Sequence, residues 1–176
     1  TEALQTMDWA ASRAMLSEIH TQSQQQSRMA SIQLLKRLLD RRYSTGALRR
    51  SRWLDHVEDA LTEILMGSKS APCEHLVGQT GPGHRPTPEH SEQAIVIDAR
   101  PYPIEGSESL ARELIAMYEL GWRNFHVILC QGHRFIGNGF GMDTDEVTID
   151  VYGSVGDYLG SGNDGMTIHM HGNGQD

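Results

Sequence analysis

Two seven-residue stretches near the end of the chain repeat one another. Val147-Thr148-Ile149-Asp150-Val151-Tyr152-Gly153 aligns with Met166-Thr167-Ile168-His169-Met170-His171-Gly172 at an offset of 19 residues. Thr, Ile and Gly are identical, the first and fifth positions are apolar in both, and Asp157 and Asp176 match at the same offset. Each copy alternates, so Ile149 and Val151 point to one side of a strand while Asp150 and Tyr152 point to the other. A strand and a glycine-rich bend at a period of about 20 residues are the signature of stacked coils. Stacking predicts Ile149 beside Ile168 and Val151 beside Met170 on the inside, with Asp150 near His169 and Tyr152 near His171 on the outside. An antiparallel hairpin with a long glycine loop is the competing arrangement.

Composition supports two unlike halves. Of 18 glycines, only Gly46 and Gly67 fall in the first 75 residues, and twelve lie between Gly121 and Asp176. Residues 28–52 hold eight basic side chains and one acid, whereas 135–176 hold seven acids and neither Lys nor Arg. Residues 1–66 read as a helical docking segment. A weak helix is expected over about Met7 to Ile19, ahead of the polar run TQSQQQS. Met29, Ile32, Leu35, Leu38 and Leu39 share one helical face, with Ser27 as N-cap. Ser51 to Met66 places Leu54, Val57, Leu61 and Ile64 on a stripe, with Gly67 as a left-handed stop. Residues 67–93 carry four of the six prolines and four glycines and read as a linker. From Ala94 the pattern gives a strand (94–98), a helix (107–120) and a second strand (125–129), the span of a βαβ unit.

Several patterns of chemical interest have simpler explanations. His169 and His171 put two imidazoles on one strand face, a weak metal candidate that a solvent-facing ladder also explains. Cys73, His75, His84 and His90 are irregularly spaced within the linker. With only two cysteines, neither a disulfide-stapled module nor a four-cysteine cluster can be built from this chain. Cys130 reads as a packed thiol. Gly137-Asn138-Gly139-Phe140-Gly141 lacks both dinucleotide-loop spacing and a P-loop ending, so corner turns account for it. The basic run, with Arg41, Arg42, Arg49, Arg50 and Arg52, suits an acidic protein partner. The alternative is a nucleic-acid-associated adaptor using the basic helices around 36–52. An overall charge of −8 and the lack of interleaved aromatics count against that alternative. No run of 18 apolar residues and no secretory leader pattern is present, and a cytoplasmic location is expected.

The motifs also carry a family resemblance. Ile97-Asp98-Ala99, the run Gly132-His133-Arg134-Phe135-Ile136-Gly137-Asn138-Gly139, Gly153, Gly156-Asp157 and the closing Ile168-His169-Met170-His171-Gly172-Asn173-Gly174-Gln175-Asp176 resemble the glutamate synthase C-terminal domain family with its GXGXG repeats. The resemblance covers about 94–176 and leaves the first 93 residues unmatched. It implies an α+β chain: helical segment, βαβ-like lead-in, then a right-handed parallel β-helix that is incomplete at its C-terminus. Gly132, Gly137, Gly139, Gly153, Gly156 and Gly172 are then corner residues. It further implies a non-catalytic scaffold subunit of a multi-subunit oxidoreductase, with no cofactor of its own. FMN or FAD, iron–sulfur clusters and a glutamine amidotransferase are expected in partner subunits. The family's helix normally runs on for more coils, so the expectation is either that further coils are missing from this sequence or that a partner completes the stack at the C-terminal end.

Overall fold

The computed structural model describes residues 8–25, 27–40 and 42–174. The chain divides into two compact units, one ending at Leu65 and the other beginning at Met66. In the first unit, α1 (Trp9–Gln25), α2 (Arg28–Asp40) and α3 (Arg50–Met66, its last residue in the second unit) account for nearly all the regular structure. The helix read as weak is longer than expected and continues through most of the polar run, with Leu16 and Ile19 buried. Asp8 starts it, accepting a hydrogen bond from the Ala11 amide at 2.8 Å. Ser27 caps α2 in the same way, its hydroxyl accepting from the Ala30 amide at 3.2 Å. Along α3, Trp53, Val57, Leu61, Ile64 and Leu65 form the buried stripe. Tyr43 locks Trp53 in place by accepting from its indole N–H at 2.8 Å while donating to the Leu38 carbonyl at 2.6 Å. Gly67 is no left-handed stop; it opens a single 3-10 turn, Gly67–Lys69.

The second unit is one parallel sheet of six strands. Its order is β1 (Leu76–Gly78), β2 (Ala94–Asp98), β3 (Asn124–His133), β4 (Thr148–Val155), β5 (Thr167–Met170), with β6 (Asn173–Gly174) also pairing to β4. One helix, α4 (Leu110–Glu119), crosses from β2 to β3. Ile95, Ile97, Leu114, Met117, Phe125, Val127, Ile149 and Val151 form its core. Sequence periodicity predicted β2 and α4 well because both have strong apolar patterns. It missed β1, only three residues long.

The expected β-helix fold class is corrected here. A β-helix winds each coil through separate sheets, whereas these strands all join one continuous sheet of α/β type with a helical crossover. The pairing expected from the repeat is nevertheless present. β4 and β5 are parallel, with Ile149 opposite Ile168, Asp150 opposite His169 and Val151 opposite Met170. The side expected to face solvent does not: Asp150 and Tyr152 are both buried. Residues 67–93 are also no linker. They supply β1, and Pro86 accepts the Trp122 indole N–H at 2.7 Å. The Asn124 side chain donates to the Ser91 carbonyl at 3.0 Å. Prolines and glycines here shape an irregular connection from β1 to β2 that is pinned to the sheet unit by these contacts.

Candidate functional site at the carboxyl edge of the sheet

Parallel α/β sheets place their sites beyond the carboxyl ends of the strands. Here that edge gathers Gln79 after β1, Asp98 at the end of β2, His133 at the end of β3 and the start of α4. A buried polar chain runs through it. Tyr102 donates to the Gln79 side-chain oxygen at 2.7 Å, and the Gln79 amide donates to Glu113 at 2.7 Å. Arg85 closes the chain with a forked contact to both Glu113 oxygens, the closest at 2.7 Å. Burial pushes the Tyr102 hydroxyl above its ordinary range, and the Glu113 carboxylate adds to the shift. His133 fixes the neighbouring loop through the Tyr102 carbonyl at 3.2 Å. Beside it, Asp98 accepts from Lys69 at 3.1 Å and from Arg100 at 2.7 Å. Burial alone raises the Asp98 carboxyl, but the Arg100 and Lys69 hydrogen bonds prevail and hold it at about 2.

Two cavities open next to this network. The larger, about 650 Å³, is lined by Ser107, Ser109, Arg112, Ile115, Phe135 and Asn138, among others. The smaller, about 190 Å³, shares Ser107, Ser109 and Arg112 and is bounded by Arg85 and Tyr102.

A pair of matching turns forms the wall of this edge. Phe135-Ile136-Gly137-Asn138-Gly139 after β3 corresponds to Tyr158-Leu159-Gly160-Ser161-Gly162 after β4. Both aromatic residues have positive φ, +61° and +64°, and the glycines that follow share that sign at each matched position. Each turn closes alike, Asn138 donating to the Phe135 carbonyl and Ser161 to that of Tyr158. The Phe135 and Tyr158 rings stack at 4.9 Å and 3°. Arg134 lies over both rings and pairs with Asp157 at 3.0 Å and with Glu105. The strand-based reading missed this second repeat because its offset is 23 residues, not 19.

The glycines expected at corners divide into two groups. Gly137 and Gly139 do lie in a turn. Gly132 and Gly153 lie inside β3 and β4, where the pairing register shifts. A Cβ on Gly153 would fall 2.5 Å from the Cys130 carbonyl oxygen, and one on Gly156 would fall 2.6 Å from that of Gly132. On Gly172 it would collide with the Gly153 carbonyl. These three are therefore points of close strand approach.

No family model, curated protein or solved structure matches the chain. The likeness to the glutamate synthase domain thus rests on the sequence motifs themselves.

The remaining sequence candidates are scattered. His171 is committed to Asp150 at 2.7 Å and stacks on Tyr152 at 4.6 Å, while His169 is exposed with its ring 6.2 Å away. Among the described residues no group of three or more His, Cys, Asp or Glu is placed to hold a metal ion. Of the basic run, Arg41 lies outside the described residues. Arg50 donates to the Tyr43 carbonyl at 3.1 Å and Arg52 sits 4.9 Å over the Trp9 ring, while Arg42 and Arg49 are exposed. Two of the guanidinium groups are thus seated on aromatic rings of their own unit. Among the described residues no helix is long and apolar enough to cross a membrane.

Proposed function

We propose that this chain is a non-catalytic scaffold subunit of an oxidoreductase resembling glutamate synthase, and that it holds flavin, iron–sulfur or amidotransferase subunits in place through strand addition. The kind of partner comes from the sequence resemblance. The observation that supports a docking role is the β5 edge. Among the described residues β5 pairs only with β4. Thr167 and His171 donate to the Val147 and Val151 carbonyls at 2.9 Å, so the alternate residues Ile168 and Met170 direct their N–H and C=O groups away from β4. Edges that must stay unpaired usually carry Lys, Pro or a bulge. Thr167-Ile168-His169-Met170-His171 carries neither Lys nor Pro, and its ladder to β4 runs without a register shift. Such an edge suits an added strand from a partner.

Capture of the tagged full chain from its native host tests this reading. Partner polypeptides with flavin or iron–sulfur absorbance are expected in the captured fraction. Met170→Pro removes an outward N–H without breaking a bond to β4, and should release them while the melting temperature holds. A chain captured alone, or partners retained equally by the proline variant, would overturn it.

A further inference from the structure

We propose that the cavity at the start of α4 binds a small phosphomonoester. Three observations within the second unit converge on it. Ser109 occupies the N-cap position of α4 with extended backbone, yet its hydroxyl makes no capping hydrogen bond. The residue is only 4% exposed and lines both cavities, and its hydroxyl has no protein partner among the described residues and is not sealed from the open space. The Leu110, Ala111 and Arg112 amides are the unpaired donors of the first helical turn, and no protein acceptor among the described residues takes them. Arg112 lines the same space and forms no ion pair among the described residues. Every other basic side chain at this edge is matched: Arg85 to Glu113, Arg100 and Lys69 to Asp98, Arg134 to Glu105 and Asp157.

The donor count selects the ligand. The amides of the lining residues Ala111 and Arg112, the Ser109 hydroxyl and the several N–H groups of a guanidinium exceed what the two oxygens of a carboxylate can accept, and they suit the three terminal oxygens of a phosphate. The cavity, at about 650 Å³, also leaves room for an organic group. Ile115 and the Phe135 ring provide an apolar wall for its carbon skeleton, and the Asn138 amide a polar contact. Glu108 borders the smaller cavity but does not line the larger one, so the phosphate belongs in the larger.

Amide resonances of the isotope-labelled full chain, followed during addition of glycerol 3-phosphate, glycerol or lactate, test the proposal. Glycerol 3-phosphate should shift the Leu110, Ala111 and Arg112 amides, and glycerol should leave them in place. Arg112→Glu should weaken binding by about tenfold or more, since it replaces a charge-assisted contact with repulsion. Arg112→Gln keeps a good helix former and should weaken binding in the same direction, with both variants keeping the melting temperature. Ser109→Ala removes a hydroxyl that caps nothing and should also lower affinity. Unmoved amides with glycerol 3-phosphate, equal affinity in the Arg112 variants, or equal shifts with lactate would each overturn it. None of these outcomes depends on the scaffold reading, whose test is partner capture.

Discussion

Asp98 shows how much a single buried carboxylate can contribute at the carboxyl edge. Held at about 2 against the usual 3.8, it has a depressed folded-state pKa. Its stabilisation is therefore complete above pH 3.8 and is lost as pH falls from there towards 2. Asp98→Asn should cost about 1–2 kcal/mol at neutral pH. It should also flatten the acid limb of a circular-dichroism titration between those two values. A variant whose acid limb overlays that of the parent would contradict the assignment. Gly153 and Gly132 offer a second comparison at this scale. Both have positive φ, but only Gly153 has backbone within contact of an added Cβ. Gly132→Ala should cost about 1 kcal/mol for the left-handed conformation alone. Gly153→Val should cost about 3 kcal/mol or more, because the Cys130 carbonyl must also move. Equal losses in denaturant melts would remove the close approach from the account. Glycine density was legible in the sequence, but its purpose was not. The same residue type serves a turn at Gly137 and a strand contact at Gly172.

Among elements, legibility followed the strength of the apolar pattern. The runs at 94–98 and 107–120 announce themselves, and β2 matches its run while α4 lies within the other, starting three residues later at Leu110. β1 offers three residues among prolines and glycines, so its pairing with β2 is a tertiary decision with no local signature. The tandem turns were hidden for another reason. Their common feature is a conformation, positive φ at an aromatic residue, and the two copies share only their glycines. Hydrogen exchange should reveal the hierarchy of the sheet. β2, β3 and β4 are each bonded on both sides and their amides should exchange most slowly. Along β5 and just after it, Thr167 and His171 should be better protected than Ile168 and Met170, whose amides face the open edge. Uniform protection along β5 would count against that edge and against the partner reading built on it.

For the molecule as a whole, the sequence separated a helical half from a glycine-rich half but misjudged the fold of the second. An in-register parallel repeat is common to a coil stack and to an open sheet. The 19-residue offset fixes which residues are neighbours across β4 and β5. It says nothing about whether the chain between them passes through further sheets, and here all six strands share one. The site was less visible still, because Gln79 lies 23 residues before Tyr102 and 34 before Glu113, and these residues form no motif. The two thiols provide a probe of the sheet unit. Cys73 is partly exposed, and Cys130 is buried within β3. A disulfide reagent should label Cys73 quickly and reach Cys130 only at the rate of global opening of the sheet. Rapid labelling of both would mean that β3 opens locally.

The tandem turns have one further consequence, for how the chain can vary in length. Between the second turn glycine and the next strand, the first copy has residues 140–146 before Val147, and the second has only 163–165 before Met166. The strands stay in register despite that difference, and Thr144 bridges the two segments by donating to the Asp164 carbonyl and accepting from the Met166 amide at 3.2 Å. Insertions and deletions are thus absorbed on one rim while the ladder and the stacked rings stay fixed. That rim, around the exposed Met142, is where a peptide tag or a foreign loop can be grafted with least disturbance to the sheet.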